Sequence, residues 1–150
     1  MKKLLLSIFT LLLIESTYAQ WINKSVNNGF DDPYRICYTK ESNETVLKLE
    51  NVDGDIVLYL QGGYFCDDAP IVDISFFVNG AWKKYATEAT KGTQSNSLFL
   101  VDDMSTSNAL VDFLNATSVK LRVNESHCEN NYYQFNMSGS TAAYKFISNY

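Results

Sequence analysis

From about residue 34 onward the chain is written in short apolar runs separated by turn residues, and several runs alternate apolar and polar positions. A period of two puts successive side chains on opposite faces of a strand, so the pattern predicts strands rather than helices. Tyr34 to Thr39 is rich in aromatic and β-branched residues. In 45–50, Val46 and Leu47 sit among charged neighbours. The segment Asn51-Val52-Asp53-Gly54-Asp55 then reads as a tight turn into Ile56-Val57-Leu58-Tyr59-Leu60. Asp-Gly between two apolar runs signals a hairpin, so 45–50 and 55–61 are expected to pair antiparallel. Residues 20–33, polar and Asn-rich around Trp21 and Phe30, are expected to be irregular.

The clearest local signal is Asn79-Gly80 between Ile71–Val78 and Ala81–Ala86. Asn-Gly suits a type I′ turn because both central residues take positive φ. A two-residue loop sets Phe77 opposite Trp82, Phe76 opposite Lys83 and Ile74 opposite Tyr85. One face then carries Ile74, Phe76, Val78 and Tyr85 and reads as core. The other carries Ser75, Phe77, Trp82 and Lys84. A Phe77–Trp82 pair on that mixed face is either covered by another segment or an exposed aromatic patch. Aromatic pairs pack more often than they bind, which favours cover.

Residues 87–97, rich in Thr, Ser and Gly, predict a loop, and Leu98–Val101 a short strand. Several possible N-caps lie in 102–107, with Ala109, Leu110, Phe113 and Leu114 following at helical spacing, so a short helix is expected near 104–115. Val119–Val123 alternates, with Lys120 and Arg122 opposite the apolar side. Tyr132–Met137 alternates again, and 140–147 suits a terminal helix burying Ala143, Phe146 and Ile147. About eight strands with one or two short helices predict a mainly β fold, an antiparallel β-sandwich or a partly open barrel.

The first 19 residues have the order of a signal peptide: Lys2 and Lys3, an apolar stretch from Leu4 to Ile14, and a polar tail with small residues Thr17 and Ala19. The apolar stretch is far shorter than the roughly 20 residues that span hydrocarbon. No Cys follows the cleavage point, which argues against a lipid anchor. The expected product is one exported domain, 20–150, periplasmic or extracellular, with no membrane span after cleavage. The whole chain has 12 Lys and Arg against 17 Asp and Glu, a net charge of −5. No cluster of cations serves a phosphate backbone, so nucleic acid is not an expected partner.

Export gives the three cysteines meaning, because two of them are then expected to pair. Cys66 and Cys128 each follow a strand-like run and enter a polar loop, and are the expected disulfide. Cys37, inside the run 34–39, suits a buried free thiol, although three cysteines allow three single bridges and its pairings stay open. His127 is the lone histidine and sits beside Cys128, which reads as a surface residue next to a disulfide rather than half of a catalytic pair. No Gly-x-Ser-x-Gly or Ser-x-x-Lys motif occurs. One histidine and three scattered cysteines are too few for zinc or iron. No cofactor is expected. Structural calcium is the residual possibility, at Asp31-Asp32, Asp53 with Asp55, Asp67-Asp68 or Asp102-Asp103, although Asp at turns is expected for capping alone. Sequons at Asn23, Asn43, Asn115, Asn124 and Asn136 matter only in a eukaryotic secretory pathway.

Phe113-Leu114 before a short spacer, Val119-Lys120-Leu121-Arg122-Val123, and Phe135-Asn136-Met137-Ser138-Gly139-Ser140 leading into Ala142-Ala143 carry a resemblance. The stretch 110–147 resembles the C-terminal half of small exported bacterial domains of the invasion-associated locus B kind and of similar type VI secretion accessory proteins. The resemblance implies a periplasmic β-sandwich without catalytic residues. The leading expectation is a non-enzymatic binding or envelope-accessory module for a protein or glycan of the envelope, with Phe77, Trp82 and Lys84 as its binding residues and no catalytic residue. The alternatives are a secreted carboxylate-dependent hydrolase acting on glycans, which needs two acidic groups in a concave pocket, and a protein that protects or inhibits an envelope partner.

Overall fold

A computed structural model describes residues 21–27, Gly29, 33–41, 44–93 and 96–149. The leader 1–19, Phe30, Asp31-Asp32 and the sequon Asn43 lie outside the described residues. Two antiparallel sheets pack face to face. The larger holds β1 (Ile22–Val26), β2 (Tyr34–Lys40), β3 (Val46–Val52), β4 (Asp55–Gln61), β7 (Thr90–Lys91) and β8 (Ser97–Val101), in the order β1-β2-β3-β4-β8-β7. The smaller holds β5 (Ile71–Val78), β6 (Ala81–Glu88), β9 (Ser118–Asn124) and β10 (Asn131–Asn136), in the order β10-β9-β5-β6. Of the two architectures expected, the sandwich is the one observed, with two short helices, α1 (Leu110–Asn115) and α2 (Ser140–Ser148).

Both hairpins follow from their turn residues. Asp53 and Gly54 take φ of 54° and 100°, Asn79 and Gly80 φ of 51° and 80°. Positive φ at both positions gives the twist that flanking strands need. Val52 therefore pairs with Asp55 and Val78 with Ala81, and the expected partners Phe77–Trp82, Phe76–Lys83 and Ile74–Tyr85 are all observed.

Leu47, Leu49, Leu58, Leu60, Leu98 and Leu100 from the large sheet meet Val72, Ile74, Phe76, Val119, Leu121, Val123 and Phe135 from the small one, all nearly inaccessible. The two helices close one end. Phe113 of α1 has its ring 5.7 Å from Trp21 and 6.1 Å from Phe76, both edge-on. Ala143 and Ile147 of α2 are buried as expected, whereas Phe146 is only partly buried. The first turn of α2 is tied to the end of α1: Ser140 Oγ donates to the Phe113 carbonyl at 3.0 Å and Thr141 Oγ1 to the Leu114 carbonyl at 2.7 Å. Those carbonyls have no partner within α1, so the two helix ends satisfy each other. At the far end of α2, Arg35 Nη1 donates to the Phe146 carbonyl at 2.8 Å, a cation where the helix dipole favours one.

Three local expectations change. Residues 22–26 form a strand, because they pair along the edge of β2 with Ile22 opposite Tyr38. Most of that strand is exposed, so no apolar alternation marks it. The expected loop 87–97 is partly strand, since β6 runs to Glu88 and β7 pairs with β8. The first helix starts at Leu110, because Asp103 Oδ1 accepts the Ser105 N–H at 2.9 Å and Met104 N–H goes to the Ile56 carbonyl at 2.6 Å. An Asp that bonds its own neighbouring backbone holds a turn in place of a helix start.

Candidate binding face on the four-stranded sheet

Because β5, β6, β9 and β10 alternate, the small sheet turns a second set of side chains away from the core. The registers arrange them in rows. Asn136, Ser118, Phe77 and Trp82 make the first, Gln134, Lys120, Ser75 and Lys84 the second, and Tyr132, Arg122, Asp73 and Ala86 the third. Phe77 and Trp82 have ring centroids 5.0 Å apart at 49°. Lys120 Nζ lies 4.7 Å from the centroid of the Trp82 ring. Arg122 bonds Asp73 through Nε at 2.8 Å and also through Nη2. Asn124 adds a bond to Asp73 at 3.1 Å. Those bonds, Asn124 first and Arg122 second, hold the Asp73 carboxyl below its ordinary range. A depression of about 380 Å³ runs between the second and third rows.

The expected cover over the aromatic pair is only partial among the described residues, since Phe77 is half-buried and Trp82 exposed. Trp82 is 38% exposed and Tyr132, at the other end of the face, 68%. β6 is the edge strand of the small sheet, and among the described residues the Lys120 side chain is the group that lies over the Trp82 ring. Phe77, Trp82 and Lys84 do share one face, as expected. The neighbours Ser75, Lys120, Gln134, Arg122 and Tyr132 complete it. Their alternation is visible in each strand, but the order β10-β9-β5-β6, which assembles them, is a long-range pairing that no local pattern announces.

No protein-family model, curated protein or solved structure matches the chain.

The second polar cluster surrounds the disulfide. Cys66 and Cys128 are bonded, 62 residues apart in sequence, as expected, and Cys37 is a buried free thiol. Burial raises the Cys37 thiol to about 12. Asp67 Oδ1 lies 2.5 Å from His127 Nδ1, and Ser126 Oγ lies 3.0 Å from the same nitrogen. Serine and aspartate meeting one ring nitrogen do not make a relay, in which the base accepts through one nitrogen and is oriented through the other. The imidazole is 80% exposed, which fits the surface role expected of it. Cys66, Glu125 and Cys128 place possible ligand atoms within 4.8 Å, but the two sulfurs are bonded to each other. Of the acidic pairs considered for calcium, Asp67 is taken up by Ser126 and His127, Asp68 by Lys91, and Asp103 by Ser105.

One polar cleft of about 270 Å³ does carry two carboxyls, Glu88 and Asp102, beside Tyr85, Thr87 and Asn108. Both acidic residues are exposed. The cleft therefore brings together two acidic groups of the kind the hydrolase alternative needs, at solvent-exposed positions.

Proposed function

We propose that the chain is an exported binding module, without catalytic residues, that takes a glycan of the cell envelope on the outer face of the four-stranded sheet. The observation that carries the reading is the exposed Trp82 ring, packed on half-buried Phe77 with the ammonium of Lys120 above it, in a row with Ser118 and Asn136 and beside a row with Ser75 and Gln134. A flat aromatic surface stacks on the apolar face of a pyranose ring, while hydroxyl and amide side chains beside it meet the sugar hydroxyls. A sheet face supplies this without a deep pocket. Export rests on the leader and on the resemblance to exported envelope domains. The bonded Cys66–Cys128 pair and the lack of any described helix long and apolar enough to cross a membrane are compatible with it.

The test is binding of the leaderless chain to purified envelope polysaccharide, with Trp82→Ala as the variant. Trp82 sits on an exposed edge strand, so the variant is expected to keep its fold by circular dichroism. Loss of affinity of roughly tenfold supports the reading. Unchanged affinity overturns it, and capture that survives removal of glycan but not protease replaces the glycan with a protein partner.

A further inference from the structure

The same face carries charge out of keeping with the chain as a whole, and this inference rests on the reading above. Lys84 follows Trp82 by two residues on β6, and Lys120 lies across Ser75 from it. Strands about 4.8 Å apart and residues about 3.4 Å apart along a strand put the two Cα atoms roughly 10 Å from each other, flanking Ser75 beside the aromatic row. Neither ammonium forms a salt bridge among the described residues. Lys120 rests over the Trp82 ring, and Lys84 only feels Asp73 from the next row. Arg122, by contrast, is already committed to Asp73. The other carboxylate of this face, Glu88, sits at the opposite end of β6 from Trp82, in the row of Ile71 and Asn124. Two cations without a salt bridge among the described residues therefore border the stacking platform of a chain with net charge −5.

We infer that the face selects acidic saccharides, specifically chains of hexuronic acid. A uronic acid carries its carboxylate one bond off the pyranose ring. With the ring stacked on Trp82, that carboxylate falls into the strip between Lys120 and Lys84, and Ser75 and Gln134 line the same row as hydrogen-bonding groups. Lys120 needs only to move from the indole face to the carboxylate, because a solvent-exposed cation–π contact is weak enough to exchange. Arg122, held by Asp73, keeps the third row polar without competing for the anion. Two cations serve isolated carboxylates on a sugar chain. They are too few for a phosphate backbone, whose binding draws on many neutralised charges.

The experiment uses the leaderless chain, a polygalacturonate oligomer, and the same oligomer with its carboxyls methyl-esterified, a neutral partner of nearly the same shape. The acid form is expected to bind roughly tenfold tighter than the ester, and to lose that advantage between about 50 and about 500 mM NaCl. Lys84→Gln with Lys120→Gln should bring the acid form down to the level of the ester while leaving the ester unchanged. Trp82→Ala should weaken both. Equal binding of acid and ester, or lysine variants without effect, overturns the selectivity and leaves the glycan face standing. Binding of neither oligomer also overturns it, and the Trp82→Ala comparison on envelope polysaccharide then decides the face separately. An acidic peptide that competes better than the oligomer would refute the saccharide assignment.

Discussion

The Glu125 carboxylate accepts the backbone N–H of Cys66 at 2.5 Å from the opposite side of the disulfide loop. Asp67 N–H reaches the same oxygen at 3.2 Å, and Asn131 Nδ2 donates to the other at 2.9 Å. Glu125 is 9% exposed, so these donors replace the water that a buried carboxylate loses. It pins the loop after Cys66 to the turn between β9 and β10, next to the covalent bond. Glu125→Gln keeps the shape but turns an NH₂ group toward N–H donors. It should cost about 1–3 kcal/mol in urea unfolding. A loss below about 0.5 kcal/mol would mean that the disulfide alone holds the loop.

Asp67 gives this region a pH signature. The Ser126 backbone N–H and then His127 lower its carboxyl from 3.8 to about 2. A carboxyl depressed in the folded protein contributes stability above its unfolded value, and that contribution disappears as pH falls through the folded one. The thermal midpoint of the native chain should therefore exceed that of Asp67→Asn at about pH 5, with the gap closing between about pH 4 and about pH 2. A gap that is constant over this range would show that the carboxylate is not what the loop depends on.

The strands that alternate around Asp-Gly and Asn-Gly were legible because turn chemistry fixes the register and the register fixes the faces. Cys66 with Cys128 was legible for a similar reason: both sit in polar loops at strand ends. The strand at Ile22–Val26 was not, since an edge strand with both faces largely exposed is held by backbone pairing that leaves no apolar period. The helix α1 begins later than the spacing of 104–115 implies because Asp103 bonds Ser105, a competition between turn and helix that propensity does not resolve. At the candidate site, Phe77, Trp82 and Lys84 were visible within one hairpin. Lys120, Gln134 and Tyr132 join them only through the β5–β9 and β9–β10 pairings, and the exposure of Trp82 depends on its strand lying at the sheet edge.

Phe113 and Val111 belong to the same turn-and-a-half of helix and should behave oppositely. Phe113 is fully buried between Trp21 and Phe76, whereas Val111 is 66% exposed. Phe113→Ala removes the ring that joins the helix to both the small sheet and Trp21, and should cost about 3–5 kcal/mol. Val111→Ala should stay within about 0.5 kcal/mol. Chemical denaturation of the two variants side by side checks the placement of α1, and similar losses would mean that the helix is rotated from the position described.

The sulfur chemistry gives the last prediction. Cys37 is wholly buried, with its Sγ 3.5 Å from the Ala143 carbonyl under α2, and burial raises the thiol to about 12, so the reactive thiolate is scarce in the folded protein. An aromatic disulfide reagent should label no thiol in the native chain and one after denaturation. Labelling of three thiols in the denatured chain would show that the Cys66–Cys128 bridge had not formed. Replacing both bridged cysteines by serine frees a loop of 62 residues, for which the chain-entropy relation gives a loss of about 4 kcal/mol. Because Glu125 fastens the same loop without help from the sulfurs, the serine variant should still fold, and its urea midpoint should fall further when Glu125→Gln is added. If the two losses instead overlap, so that the triple variant is no less stable than the serine variant, then the carboxylate acts only when the bridge has already brought the two loops together.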